Sequence, residues 1–335
     1  MSKLGWIVVG LVFLSGCESA SPKVEKLSGM AQGTTWHVSY WSQETVDSNK
    51  LDAELEVVLA EIDKEMSNYR PDSTISAFNS GASLSGQVGN NITHLIQVAK
   101  GVSQQSRGCY DLTIRPLFDL WGFTQNKLSI PSQQELDNIM MSVGMDKIQV
   151  DDAMMKKASA QVHVDVSSIA QGYSVGRLAE VLKQHQITNY LVEIGGEMVV
   201  SGVKPNGDPW KIAIEKPLPG ERTLQKVLAF DFPQAIMTSG TYRHYFDQDG
   251  QRYTHIIDAR TGAPVKHHTV SVTVLHDDPT QADAWSTALL CLGTTQGLEV
   301  ANKNQIKALF IDELNGELVE SRSKHYQSVQ KEIEE

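Results

Sequence analysis

The chain has 335 residues, enough for one large or two modest domains, and its 41% hydrophobic and 21% charged content is that of an ordinary globular protein. The formal net charge is −11, from 29 Lys and Arg against 40 Asp and Glu. An acidic chain without a run of five or six basic residues disfavours nucleic-acid binding.

The N-terminus reads as an address. Lys3 precedes the apolar run Leu4 to Leu14, and Leu14-Ser-Gly-Cys17 ends it. Such a run is too short to span about 30 Å of hydrocarbon as a helix. Small residues before a cysteine resemble a bacterial lipobox. The expectation is a signal peptide over 1–16, then a lipidated Cys17 and polar tether over 17–27. The body would then face the periplasm from a membrane, with inner and outer membrane both open.

Alternation makes Thr34–Trp41 a strand. Leu51, Leu55, Val58, Ile62 and Met66 recur at three and four residues, predicting a helix over 48–67. A loop at Pro71-Asp72 follows, then a helix over 91–105 on Ile92, Leu95, Ile96, Ala99 and Val102. Pro131-Ser132 starts a helix reaching Val143. His163–Val166 (strand), Ile169–Gln184 (helix) and Tyr190–Ile194 (strand) read as a strand–helix–strand unit. Strands are expected at Met198–Val203, Trp210–Glu215, Leu224–Phe232, Ala235–Thr238 and Val270–Leu275, then a helix over Thr280–Leu292 and a strand over Ile306–Ile311. The class is α+β, with mixed, largely antiparallel sheets and packed helices in one body over 28–335.

Two cysteines remain beyond Cys17. Cys291 lies in the apolar run Ala288–Leu292 and reads as a buried structural thiol. An exported protein can pair it with Cys109, though nothing in the sequence forces that. The chain has no Cys-x-x-Cys, so zinc ribbons and thioredoxin-type motifs drop out.

Four segments carry chemistry. In Ala282-Asp-Ala-Trp-Ser-Thr-Ala288, Asp283 and Thr287 share a helix face at i and i+4 and offer hard oxygen ligands. A helix-capping acid is the plainer alternative. Asp165-Val-Ser-Ser168 precedes a helix, where Asp165 either caps or meets a ligand. Thr238-Ser-Gly-Thr241 suits an anion-binding nest or an ordinary turn. His255 lies on an apolar strand, either a satisfied core histidine or a base whose ordinary pKa is near working pH. Two motifs mislead. Gly172-Tyr-Ser174-Val-Gly176 matches the hydrolase elbow, but Ser174 falls within a helical pattern rather than straight after a strand. Ser201-Gly-Val-Lys204 has S-x-x-K spacing but sits on a strand.

Taken in order, these segments resemble the ApbE family, the FAD:protein FMN transferases. The matching stretches include Met30-Ala-Gln-Gly-Thr-Thr-Trp36, Met66–Ser73, Tyr110–Leu117, Leu120–Phe123, Asp165–Tyr173, Glu193-Ile-Gly-Gly-Glu197, Thr238–Arg243, His255–Gly262 and Ala282–Thr287. The resemblance implies one ApbE-like catalytic body that moves the FMN half of FAD onto a Thr or Ser hydroxyl, releasing AMP with the help of Mg2+. It implies Ser168, Asp283 and Thr287 as metal ligands. It implies Met30, Tyr69, Cys109, Tyr110, Asp111, Asp165, Gln171 and Ile257 as FAD contacts, with Ser239, Gly240 and Arg243 near phosphate. Ser168 and Gln171 depart from the Ala and Lys that many relatives carry. The candidate base is His255, with Asp165 or Asp258 as the alternatives. Implied acceptors are flavoprotein subunits of sodium-pumping NADH:quinone reductase and Rnf-type complexes. A periplasmic FAD-binding protein without turnover and a serine hydrolase are the competing readings.

Overall fold

The computed structural model describes residues 22–218 and 223–326, and the backbone of 331–333. The expected signal peptide over 1–16 and lipidated Cys17 lie outside these residues. Seven α-helices are described: α1 Ser48–Met66, α2 Thr74–Ser80, α3 Asn90–Gln105, α4 Arg115–Trp121, α5 Gln133–Met140, α6 Ser167–Gln184 and α7 Pro279–Lys303. The strands run β1 Glu25–Ala31, β2 Thr34–Trp41, β3 Ser85–Gln87, β4 Ile148–Asp151, β5 Met154–Lys157, β6 Asn189–Ile194, β7 Glu197–Ser201, β8 Trp210–Glu215 and β9 Leu224–Phe230. They continue with β10 Gln234–Gly240, β11 Tyr245–Gln248, β12 Gln251–Thr254, β13 Ile257–Asp258, β14 Ala263–Pro264, β15 Thr269–His276, β16 Lys307–Leu314, β17 Glu317–Arg322 and β18 Lys331–Ile333.

An eight-stranded sheet, ordered β1-β2-β6-β7-β10-β15-β16-β17, is antiparallel at every pairing. Side chains alternate across a strand, so its two faces feed different cores. Trp36, Val38 and Tyr40 of β2, Val192 of β6 and Phe310 of β16 enter the main core with α1, α3, α6 and α7. Trp41, Leu191 and Leu309 point the other way, into a second core closed by β8 and β9. Both faces being covered explains the near-continuous apolar runs in the central strands. The amphipathic stripe of α1 is as expected, with Leu51, Leu55, Leu59, Ile62 and Met66 buried and Asp47 capping Asn49 and Lys50. A third apolar cluster around Leu117, Trp121, Phe123 and Ile257 supports the edge of the site. Among the described residues no helix is long and apolar enough to cross a membrane.

The structure corrects several expectations. His163–Val166 forms no ladder, so there is no strand–helix–strand unit. The Asn79 side chain stands in for a neighbouring strand there: its amide nitrogen donates to the Val164 carbonyl and its oxygen accepts from the Val164 N–H, both at 2.8 Å. The stretch expected as a tether over 17–27 overlaps β1, because Glu25 already pairs with Tyr40. α7 runs past Leu292 to Lys303 across a break at Gly293, whose φ of 69° interrupts the helix where the apolar pattern stops. Cys109 and Cys291 are disulfide-bonded, with Cα atoms 6.0 Å apart, so Cys291 is not a free buried thiol.

The Gly172–Gly176 pair has a packing purpose. α6 crosses α7 so closely that a Cβ on Gly172 would lie 2.4 Å from the Pro279 carbonyl oxygen and 2.5 Å from Asp283 Cβ. A Cβ on Gly176 would meet the Pro279 ring at 2.9 Å. Gly172→Ala should therefore destabilise the fold by about 1–3 kcal/mol through overpacking. Gly101→Ala in α3, where a Cβ meets nothing within 4 Å, should be neutral or stabilising by up to about 1 kcal/mol. Denaturant melts of the two variants check the contrast; equal behaviour would show that the α6–α7 crossing has slack.

Candidate active site

The loop before α4, the N-terminal turns of α6 and α7, the end of β10 and the segment 255–257 converge on one cavity of about 210 Å³. Its wall is mostly hydroxyl, carboxylate and small side chains. Asp283 and Thr287 stand one turn apart on α7, both facing this space. Asp283 is 5% exposed, and its Oδ2 accepts from the Gly172 N–H at 2.8 Å. Burial, only partly offset by that hydrogen bond, pushes its carboxyl up to about 7. Thr287 Oγ1 lies 3.0 Å from Ser239 Oγ, which lies 2.7 Å from Ser286 Oγ. Ser168 donates to the Tyr110 phenol oxygen at 3.2 Å. The three residues expected to ligate a metal are thus brought together.

A hard cation fits this donor set, which is all oxygen and contains a buried carboxylate with one oxygen lacking a partner among the described residues. The other grouping of ligand atoms among the described residues is Cys109, Asp258 and Cys291. It offers no metal site, because the sulfurs are bonded to each other and Asp258 pairs with Arg260 at 2.7 Å.

His255 also lines the cavity. Its ring stacks on His244, with centroids 5.8 Å apart. Nδ1 lies 2.9 Å from the His244 carbonyl oxygen, which can only accept, so the proton belongs on Nδ1 and Nε2 keeps its lone pair. Burial pushes the imidazole pKa down to about 4. A neutral ring with a fixed tautomer is poised to accept a proton. The two carboxylates offered as alternatives are committed elsewhere. Asp165 Oδ1 accepts from the Ser167 N–H and hydroxyl at 2.9 and 2.6 Å, and its Oδ2 lies 3.5 Å from Arg115. Asp258 receives both the side chain and the backbone N–H of Arg260.

Of the expected FAD contacts, Cys109, Tyr110, Asp111, Asp165, Gln171 and Ile257 line the cavity, as do Ser239, Gly240 and Arg243. Cys109 does so as half of a disulfide. Asp111 is held by the Thr113 N–H and hydroxyl, and burial raises its carboxyl pKa. Met30 and Tyr69 are not brought to the wall. They lie near the β1–β2 turn and in the α1–α2 loop, 73% and 85% exposed. Ser174 is fully buried and donates to the Ala170 carbonyl inside α6, so no elbow exists. Sequence reasoning missed Glu197, which is 6% exposed and lines the cavity. The signal was present in Glu193-Ile-Gly-Gly-Glu197: Gly195 and Gly196 at φ 60° and 102° turn the chain from β6 to β7 and deliver Glu197 inward.

The model of the ApbE family matches residues 32–310. The chain is 38% identical over 312 residues to an FAD:protein FMN transferase of Vibrio cholerae, covering 91% of this chain and 93% of the relative. It is 38% identical over 338 residues to one of Haemophilus influenzae, covering 96% and 97%. Among solved structures, the flavin transferase ApbE from Vibrio cholerae superposes with a TM-score of 0.84 at 35% identity, covering 91% of this chain and 99% of that one. The apo flavinyl transferase ApbE of Pseudomonas stutzeri gives 0.85 at 35% identity, covering 92% and 98%. With its site assembled from the same ordered segments, the chain belongs to the ApbE family.

Proposed function

We infer that this cavity moves the FMN portion of FAD onto a Thr or Ser hydroxyl of another flavoprotein. The observation that carries the reading is one cavity holding Ser168, Asp283 and Thr287 together with the unprotonated Nε2 of His255. The acceptor oxygen bonds to the phosphorus on the FMN side, the bond to the AMP phosphate breaks, and AMP leaves. His255 Nε2 takes the acceptor's proton, while Nδ1–H stays on the His244 carbonyl and fixes the ring. Mg2+ on Ser168, Asp283 and Thr287 would supply neutralisation of the pyrophosphate and leaving-group charge. Arg243, whose Nη1 donates to the Gly195 carbonyl at 3.0 Å, borders the same space.

A cavity of about 210 Å³ is smaller than common ligand pockets. It takes the reacting part of the dinucleotide and leaves the rest over the rim, where the exposed Met30 and Tyr69 remain available as contacts. A hydrolase through Ser174 is disfavoured by that hydroxyl's burial. A carrier that binds FAD without turnover would have no use for a base with its tautomer fixed. The disulfide supports export to an oxidising compartment. That agrees with a lipid anchor at Cys17 and with acceptors among exported flavoprotein subunits of sodium-pumping NADH:quinone reductase and Rnf-type complexes.

Asp283→Asn should lose most transfer while retaining fold, since metal stabilisation of transition-state charge is worth several kcal/mol. Excess EDTA should do the same to the wild type. Covalent flavin on an acceptor domain after denaturing electrophoresis is the measurement, and full labelling under both treatments removes the metal from the mechanism.

His255→Ala should still bind FAD yet transfer about 10²–10⁴-fold more slowly. The folded-state pKa is depressed, so the base is fully available above the usual imidazole range and is lost only as pH falls toward about 4. With Asp283 held ionised by saturating Mg2+, the wild-type rate should therefore be flat over about pH 6 to 8 rather than climbing through the ordinary histidine pKa. A climb there assigns the titrating group elsewhere. Stability should fall with acid as well, because between the ordinary histidine pKa and about 4 the unfolded chain takes a proton that the folded one refuses. That loss should be absent from acid-titrated melts of His255→Ala.

A further inference from the structure

Glu197 has no role in the mechanism above, yet its placement demands one. It opens β7 directly after the Gly195–Gly196 turn and lines the same cavity as Asp283. Its Oε2 accepts from the Thr238 N–H at 3.0 Å. Its Oε1 has no hydrogen-bond or ion-pair partner among the described residues. The carboxylate of Asp283 is built alike, with Oδ2 tied to the Gly172 N–H and Oδ1 unpartnered. Neither free oxygen is sealed in protein as a buried unsatisfied atom, so both open to the cavity.

Two carboxylates, 6% and 5% exposed, thus offer one free oxygen each to a single small space. Like charges desolvated side by side are unfavourable unless something positive lies between them. The nearby cationic side chain is Arg243, an exposed residue that spends Nη1 on the Gly195 carbonyl. Burial is the main cause that raises the Glu197 carboxyl pKa well above its usual range and the Asp283 charge adds to it, against the Thr238 hydrogen bond and Arg243. Ser168, Ser239 and Thr287 contribute neutral oxygens to the same wall.

We propose that Glu197 is a second carboxylate ligand of the divalent-cation site, so that the protein presents two anionic oxygens, from α7 and β7, to one hard ion. This rests on the flavin-transfer reading with a cation at Asp283 and adds to it the residue that opens β7. Paired carboxylates match the ion's charge before any nucleotide arrives, so the ion should bind the protein alone. Glu197 then spans two duties, since the same side chain fixes the Thr238 N–H of the strand carrying Ser239.

The test uses Mn2+ alone as probe, titrated into the purified chain without FAD, with free Mn2+ read by electron paramagnetic resonance. Wild type should bind one ion. Glu197→Gln keeps an oxygen for the Thr238 N–H and removes only the charge, and should weaken Mn2+ binding about 10–100-fold, the range for residues that shape a metal site. Glu197→Asp should recover part of the loss. Asp283→Asn is the arm that separates the two claims. If it abolishes binding while Glu197→Gln binds as wild type, Glu197 is no ligand and the cation reading survives. If wild type binds no Mn2+ without nucleotide, the paired site is refuted as well. Should Glu197→Gln not fold, Glu197→Asp takes its place, because a carboxylate one methylene short should still bind Mn2+ more weakly than wild type. Wild-type Mn2+ affinity in a folded Glu197→Asp overturns the proposal.

Discussion

The hydrogen bond from the Gly172 N–H to Asp283 is the contact on which the site turns. It joins α6 to α7 at the one place where both helices reach the cavity. It exists only because residue 172 has no side chain: the space a Cβ needs is filled by the Pro279 carbonyl and by Asp283 itself. The same crossing orients a buried carboxylate toward ligand space without a cationic side chain. Partial neutralisation by one backbone dipole leaves the group short of charge balance, which suits a residue that meets a cation. Gly176 extends the close approach by one turn. What reads in sequence as a nucleophile motif is thus the imprint of helix packing.

Electrostatically, the cavity is assembled from contrasts. Desolvated acids, Asp283 and Glu197, share the space with an imidazole kept neutral by burial, its tautomer fixed by the His244 carbonyl. Between them run hydroxyls hydrogen-bonded to one another across strands and helices, as in Ser239 with Ser286 and Thr287. Asp165 and Asp258, acids that look equally reactive in sequence, are engaged by Arg115 and Arg260 and serve to shape the backbone. Chemistry is assigned by partners more than by residue type.

Much of the frame was legible in sequence because burial and periodicity coincide there. α1, α3, β2 and β8 follow their apolar patterns closely. His163–Val166 reads as a strand and is none, because a side-chain amide, Asn79, supplies the hydrogen bonds that a neighbouring strand would. Periodicity cannot register that substitution. α7 was cut short since the apolar pattern stops at Gly293, where the helix breaks and resumes. In the site, Ser168, Asp283, Thr287 and His255 were readable as motif residues. Glu197 was not, for its importance comes from a glycine turn that brings it to the cavity wall. Met30 and Tyr69 show the opposite limit: motif membership does not place a side chain on the cavity wall.

The Cys109–Cys291 bond ties residues 182 positions apart, and the tie falls at the cavity itself. It links the loop carrying Tyr110 and Asp111 to the helix carrying Asp283 and Thr287. Nearly every other site residue named here, Asp165, Gln171, Glu197, Ser239 and His255 included, lies on the stretch of chain between the two sulfurs. A single nick by a protease anywhere in that stretch therefore leaves both fragments covalently joined. They part only when a thiol reductant opens the bond. In a milieu rich in proteases and poor in reductants, the pocket's two walls outlast the continuity of the backbone that made them.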